Sequence, residues 1–138
     1  MRAVLDTNVI VSALIAPFGN EARVLSAVQN GRLRPCISRE ILAEYAGVLA
    51  RPKFSFAKSE IAGLIGLMKA KGLRMDPPRI TAASPDPKDN DFFACAIAAD
   101  ADFLVTGNKR HFPPQSCGRT RVVSAGELLE ILNMPQSP

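Results

Sequence analysis

Apolar positions along this chain change their period repeatedly. Ala3-Val4-Leu5 is an unbroken apolar run, and behind it Val9, Ile10, Ala13 and Leu14 recur at helical spacing. A run that short and that apolar predicts a buried strand, and the i, i+3, i+4 recurrence predicts a helix after it. Ala22, Val24, Leu25 and Val28 predict a second helix over Glu21–Asn30, stopped by Gly31. Leu33–Ile37 predicts a strand. Ser38 is placed to cap a helix that runs to about Arg51, because Pro52 disfavours helix at the residue before it. Ile61, Leu64, Ile65 and Met68 predict a helix from Ser59 to a stop at Gly72. Leu73–Ile80 is extended but carries Pro77 and Pro78, the mark of a poor or edge strand. A proline-stiffened loop reaches Asp89, and Phe92, Phe93, Ala96 and Ile97 predict a buried helix behind it. Asp102–Thr106 and Arg121–Val123 are further strands. Ser124 with Glu127 three residues on predicts a capping box for a last helix through Leu132.

Strands alternate with helices from end to end. That alternation predicts an α/β fold, a central parallel sheet covered by helices on both faces and joined by right-handed crossovers. The 138 residues predict one domain, residues 1–134, with a frayed Pro-containing tail at 135–138. No repeat or low-complexity segment interrupts it.

Composition changes this picture little. The chain is 47% hydrophobic and 22% charged, ordinary for a globular protein. Charge breaks every apolar stretch before membrane-spanning length, and the first residues lack a signal-peptide pattern, so a cytoplasmic protein with no membrane partner is expected. Cys36, Cys95 and Cys117 are widely spaced and unpaired by motif, which predicts reduced thiols used as small core residues. The net charge of +4 and a pI near 9.3 favour an anionic partner such as nucleic acid.

The carboxylates carry more information. Asp6 sits where a strand turns into a helix. It reads either as an N-cap beside Thr7 and Asn8, or as a functional carboxylate at the carboxyl end of a central strand, where open α/β sheets place their sites. Asp86, Asp89 and Asp91 crowd into six residues with only Lys88 to offset them. One Asp suits a helix start, but three exceed what capping needs, and hard divalent cations relieve such repulsion with oxygen ligands. Glu44 borders the apolar stripe of Ile41, Tyr45, Val48 and Leu49; taken alone it reads as a solvated flank. His111 reads as a surface or capping residue. No Ser-His-Asp order, Cys-His pairing or glycine-rich phosphate loop is present. An aspartyl phosphotransferase usually has a second Asp two residues after the first, and here that position is Asn8.

Three stretches, VLDTNVIVSA, SREILAEYAGVLARPKF and DPKDNDFFACAIAADADFLVTGN, resemble the PIN-domain family in order and spacing. More narrowly they are similar to the toxin ribonucleases of toxin–antitoxin pairs (VapC-like). The resemblance implies a three-layer α/β/α sandwich and metal-dependent RNA cleavage with Mg²⁺ or Mn²⁺. It places the acidic residues of the site on Asp6, Glu44 and Asp89. The fourth falls on Asn108, because the family's VTGD turn reads VTGN here. Asp91 is a further candidate ligand, although helical geometry turns it about 200° from Asp89 if both are helical. Asn8 and Thr106 are expected to orient the carboxylates or bound water. Arg51, Lys53, Lys109 and Arg110, with Lys58, Arg119 and Arg121, are candidates for holding RNA. Expected partners are RNA, a cognate antitoxin protein and a second copy in a homodimer. The competing expectation is a catalytically weakened PIN domain that binds RNA or antitoxin.

Overall fold

The structure, a computed structural model, describes residues 1–76, 90–113 and 118–133. Five short strands carry the fold: β1 (Arg2–Leu5), β2 (Arg34–Ile37), β3 (Leu73–Arg74), β4 (Phe103–Val105) and β5 (Arg121–Val123). All pair in parallel, in the order β3-β2-β1-β4-β5. The helices are α1 (Thr7–Ile15), α2 (Asn20–Gln29), α3 (Arg39–Leu49), α4 (Lys58–Lys71), α5 (Asn90–Ala98) and α6 (Ala125–Asn133). This is the expected α/β sandwich around a parallel sheet. Ala3, Val4, Leu5, Leu104 and Val105 are fully buried, as strands covered on both faces must be.

The helix ends follow local chemistry. Ser38 Oγ accepts from Ile41 N–H at 3.2 Å, the third residue of α3. Ser124 and Glu127 exchange bonds of 2.9 and 3.1 Å and form the expected capping box. Two boundaries differ from expectation. Helix α3 stops at Leu49, and Arg51 instead opens a single 3-10 turn over Pro52–Phe54. Helix α4 begins at Lys58, because Glu60 Oε1 accepts from Ala57 N–H at 3.1 Å and so ends the chain's approach one residue before Ser59 could. Of the stretch 73–80, only Leu73 and Arg74 form strand; 77–80, the loop holding Asp86 and Asp89, Cys117 and the tail lie outside the described residues.

Pro35 sits inside β2, flanked on both sides by other strands. Arg34 N–H points toward β1, where it reaches Met1 O at 2.8 Å. Backbone groups alternate sides along a strand, so the nitrogen of Pro35 faces β3. That strand begins only at Leu73, opposite Cys36. At the level of Pro35, β2 is therefore an edge, and no ladder bond is lost.

The order of the strands fixes where a site can form. From β1 the chain steps one way to β2 and β3, then crosses back to β4 and β5 on the other side. The reversal opens a crevice at the carboxyl ends of β1 and β4. Phe112 anchors the segment after β4 at that crevice. It is fully buried, edge-on to Phe92 at 6.3 Å and tilted against Phe93 at 5.1 Å. Burial pushes the Cys36 and Cys95 thiols up to about 11 and about 12, as inert core residues require.

Phe112→Ala removes the ring that pins the β4 turn onto α5. A loss of about 3–5 kcal/mol in unfolding free energy is expected. Urea denaturation measures it. A loss below about 1 kcal/mol would show that the turn is held by its backbone alone.

Candidate active site

Asp6 follows β1 directly, and its own N–H donates to Val105 O of β4 at 2.9 Å. Its side chain is only 8% exposed. It occupies the N-cap position of α1, but its contacts are not those of a good cap. A capping side chain accepts from the second or third helical N–H, whereas Asp6 Oδ1 accepts from Thr7 N–H, the first, at 2.8 Å. Its other oxygen is turned across the sheet and accepts the Thr106 hydroxyl at 2.7 Å. The carboxylate thus spans the gap between β1 and β4.

Glu44 comes to the same place from α3. Its Oε2 accepts the hydroxyl of Thr7, whose N–H already holds Asp6. Thr7 therefore fixes two carboxylates through two of its own donors. Next to Glu44, the fully buried Tyr45 donates its hydroxyl to Leu5 O, one residue before Asp6. Beyond β4, Asn108 N–H donates to Thr106 Oγ1 at 3.0 Å. Thr106 thus accepts from the Asn108 backbone while donating to Asp6, and Asn108 is half-buried beside it. Asn8 Oδ1 accepts from Gly107 N–H at 3.3 Å, which fixes the turn carrying Asn108.

The PIN domain family matches residues 2–110 of the chain. This chain belongs to the PIN domain family. No curated protein sequence matches it. Among solved structures, this PIN domain is similar to a chain in the crystal structure of VapBC2 from Rickettsia felis bound to a DNA fragment from their promoter. The identity is 18% and the TM-score 0.59, over 90% of this chain and 98% of that one. At that identity the likeness speaks for the fold.

The other candidates are placed less closely. Asp91 is half-buried in the first turn of α5. Asp89 lies outside the described residues, one position before α5. Among the described residues no cluster of three His, Cys, Asp or Glu side chains forms; the PIN domain brings two carboxylates together there. Lys109 Nζ is ion-paired to Glu127 Oε1 at 2.5 Å, which holds that carboxyl down at about 2. Lys53 lies 5.0 Å over the Phe54 ring, and Arg51, Lys58 and Arg110 are exposed. His111 is half-buried in the 3-10 turn Lys109–His111, on the same β4 turn as Asn108.

Burial pushes the Asp6 carboxyl above its ordinary value of 3.8, and the Thr106 hydroxyl and Thr7 N–H recover part of the shift. Folded Asp6 therefore keeps its proton to higher pH than unfolded Asp6 does. Between 3.8 and the raised folded value the native state binds more protons, so stability falls as pH rises. The penalty is absent below that window and complete above it. Asp6→Asn, a near-isosteric change, is expected to raise the melting temperature at pH 7 in chelator, with the gain shrinking as the pH drops through the window. Thermal melts across pH measure this. A variant that melts lower than wild type at pH 7 would show that the charge stabilises the apo fold.

Proposed function

We propose that this PIN domain is a metal-dependent endoribonuclease, the toxin component of a toxin–antitoxin pair. One observation supports this most directly: Thr7 holds Asp6 and Glu44, from different elements, at the strand-end crevice of the sheet. The donor chemistry fits a hard divalent cation, since the two carboxylates offer only oxygen and burial makes the Asp6 charge costly. Asp6 and Glu44 would hold Mg²⁺ or Mn²⁺, with Asp89 as the third carboxylate and Asn108 or Asp91 as further ligands. When bound, such a cation lowers the pKa of a coordinated water and screens the charge of the scissile phosphate.

The chain's own residues do the positioning. Thr106 keeps one Asp6 oxygen fixed toward β4, and Thr7 keeps Glu44 from swinging toward solvent. Asn8 and the Asn108 N–H hold the β4 turn against both. The same reading names the remaining partners. A protein partner, an antitoxin, is supported by the apolar corner after α1, where Ile15 is 60% and Phe18 91% exposed. A homodimer in the cytoplasm completes the proposal; among the described residues no single helix is long and apolar enough to cross a membrane.

Asn108 supports a second reading. It supplies one neutral oxygen where the VTGD turn supplies a charged carboxylate, so a PIN domain that binds RNA with weakened cleavage also fits. Incubation of an RNA panel with Mn²⁺, against a chelated control, separates the two. Wild type is expected to cleave only with metal, and Asp6→Asn to lose at least 100-fold while remaining folded. Asn108→Asp is expected to tighten Mn²⁺ binding in calorimetry and to raise cleavage most at low metal. Metal-dependent cleavage that survives Asp6→Asn would overturn the ligand role. A gain in neither affinity nor rate for Asn108→Asp would place that side chain outside the metal site.

A further inference from the structure

Parallel strands put all their leading ends on one edge of the sheet. In this chain those leading positions are basic. Lys71 ends α4 two residues before β3, Arg32 and Arg34 lead β2, Arg2 leads β1, and Arg119 and Arg121 lead β5. All six are exposed. Arg2 and Arg34 are direct partners across the sheet, so their side chains start from one level. Only β4 is led by acids, Asp100 and Asp102. Both are already used within the fold: Arg119 Nε reaches Asp100 Oδ1 at 2.6 Å, Arg119 Nη2 reaches Asp102 Oδ1 at 3.1 Å, and Arg2 N–H donates to Asp102 Oδ2 at 2.9 Å. Six cations against two carboxylates leave +4 on this edge, as much as the formal charge of the whole chain. Among the described residues, no carboxylate lies within ion-pair distance of Arg34, Lys71 or Arg121.

We infer that this amino edge of the sheet is a binding surface for the phosphate backbone of an RNA strand, at the side of the molecule opposite the carboxylates. The inference rests on the ribonuclease reading and names how that site's substrate is held. The carboxylate edge repels a polyanion wherever no cation screens it, so the flanking chain needs a positive surface elsewhere. The edges lie about 10 Å apart through the core, from Arg2 to Leu5 at a rise of about 3.3 Å per residue, but helices cover both faces of the sheet, so a strand that touches both edges passes around a helix layer and must be long. Across the sheet the basic row runs about 19 Å, from four strand spacings of about 4.8 Å. Five of the six cations are arginines, whose planar forks match phosphate oxygens; the Arg2, Arg32 and Arg119 forks already bond to Ala99 O, Leu132 O and the two acids, which leaves Arg34 and Arg121 to meet phosphate directly. The Arg121 guanidinium is stacked 5.9 Å from the centre of the Phe103 ring. Phe103 itself is buried and offers bases no stacking platform. The surface therefore reads backbone charge and not sequence, and it holds long RNA better than short.

The test compares the full-length wild type with Arg34→Glu/Arg121→Glu, and with the milder Arg34→Gln/Arg121→Gln in case charge reversal impairs folding. Binding of labelled single-stranded RNAs of about 5 and about 15 nucleotides, within the usual range of single-strand site sizes, is titrated in chelator across salt concentrations. Wild type is expected to prefer the longer RNA. Losing two phosphate contacts is expected to reduce the slope of log affinity against log salt by about 1.4, at about 0.7 per contact. Affinity for both RNAs falls, for the long one at least tenfold at low salt, while Mn²⁺-induced thermal stabilisation stays unchanged. An unchanged slope on the long RNA in either folded variant overturns the inference, as does wild-type capture of a poly-glutamate peptide in preference to RNA. A shifted slope in a protein that cleaves nothing leaves the edge standing and removes the ribonuclease reading. Cleavage with an unshifted slope does the reverse.

Discussion

The hydrogen bond from Thr106 to Asp6 is the constraint around which this site is arranged. It joins the ends of β1 and β4, the two strands between which the chain reverses its travel across the sheet. A buried carboxylate without partners is costly. Asp6 meets that cost with two donors, one from the first turn of α1 and one from β4. Each donor is tied to a second group. Thr7 also holds Glu44, and Thr106 also receives the Asn108 N–H. Three segments far apart in sequence are thereby fixed relative to one carboxyl group. The burial that makes Asp6 expensive also keeps water from its carboxyl group.

The alternation of apolar runs made the layers of the fold legible, because strands buried on both faces read as short continuous hydrophobic stretches. Ser38, Ser124 and Glu127 marked two helix starts correctly, since capping is local chemistry. Glu60 was less visible. Ser59 is a better capping type by residue identity, but the Glu60 side chain reaches back to the chain ahead of it. The site was legible only as candidates. A periodicity argument set Glu44 on the flank of a helix, and could not show that Thr7 would face it across the fold. Tyr45 held a usable signal: a buried tyrosine needs an acceptor, and its partner proved to be the residue before Asp6. Phe112 carried no such signal, because its packing partners are brought to it only by tertiary structure.

Parallel topology turns a one-dimensional charge pattern into a two-sided molecule. A residue before a strand and a residue after it are separated by the strand's length, and every parallel strand separates them in the same sense. Basic residues that lead strands and carboxylates that follow them therefore collect on opposite edges without any long-range design. A net charge of +4 understates this arrangement. It averages a basic edge with a crevice lined by carboxylates.

Asn108 shows how far a backbone role and a side-chain role can be separated at one position. Its N–H supports Thr106, and through Thr106 the orientation of Asp6. That contribution depends on the turn and is indifferent to whether the side chain is Asn or Asp. Charge at the crevice depends on the side chain alone. The VTGN turn therefore makes the same backbone contact with one negative charge fewer than a VTGD turn would carry. In the proposed site, less mutual repulsion among the carboxylates would relieve the metal-free fold, and one fewer charged oxygen would hold a divalent cation less firmly. The two consequences have opposite signs, and both follow from the loss of a single charge at an otherwise intact turn.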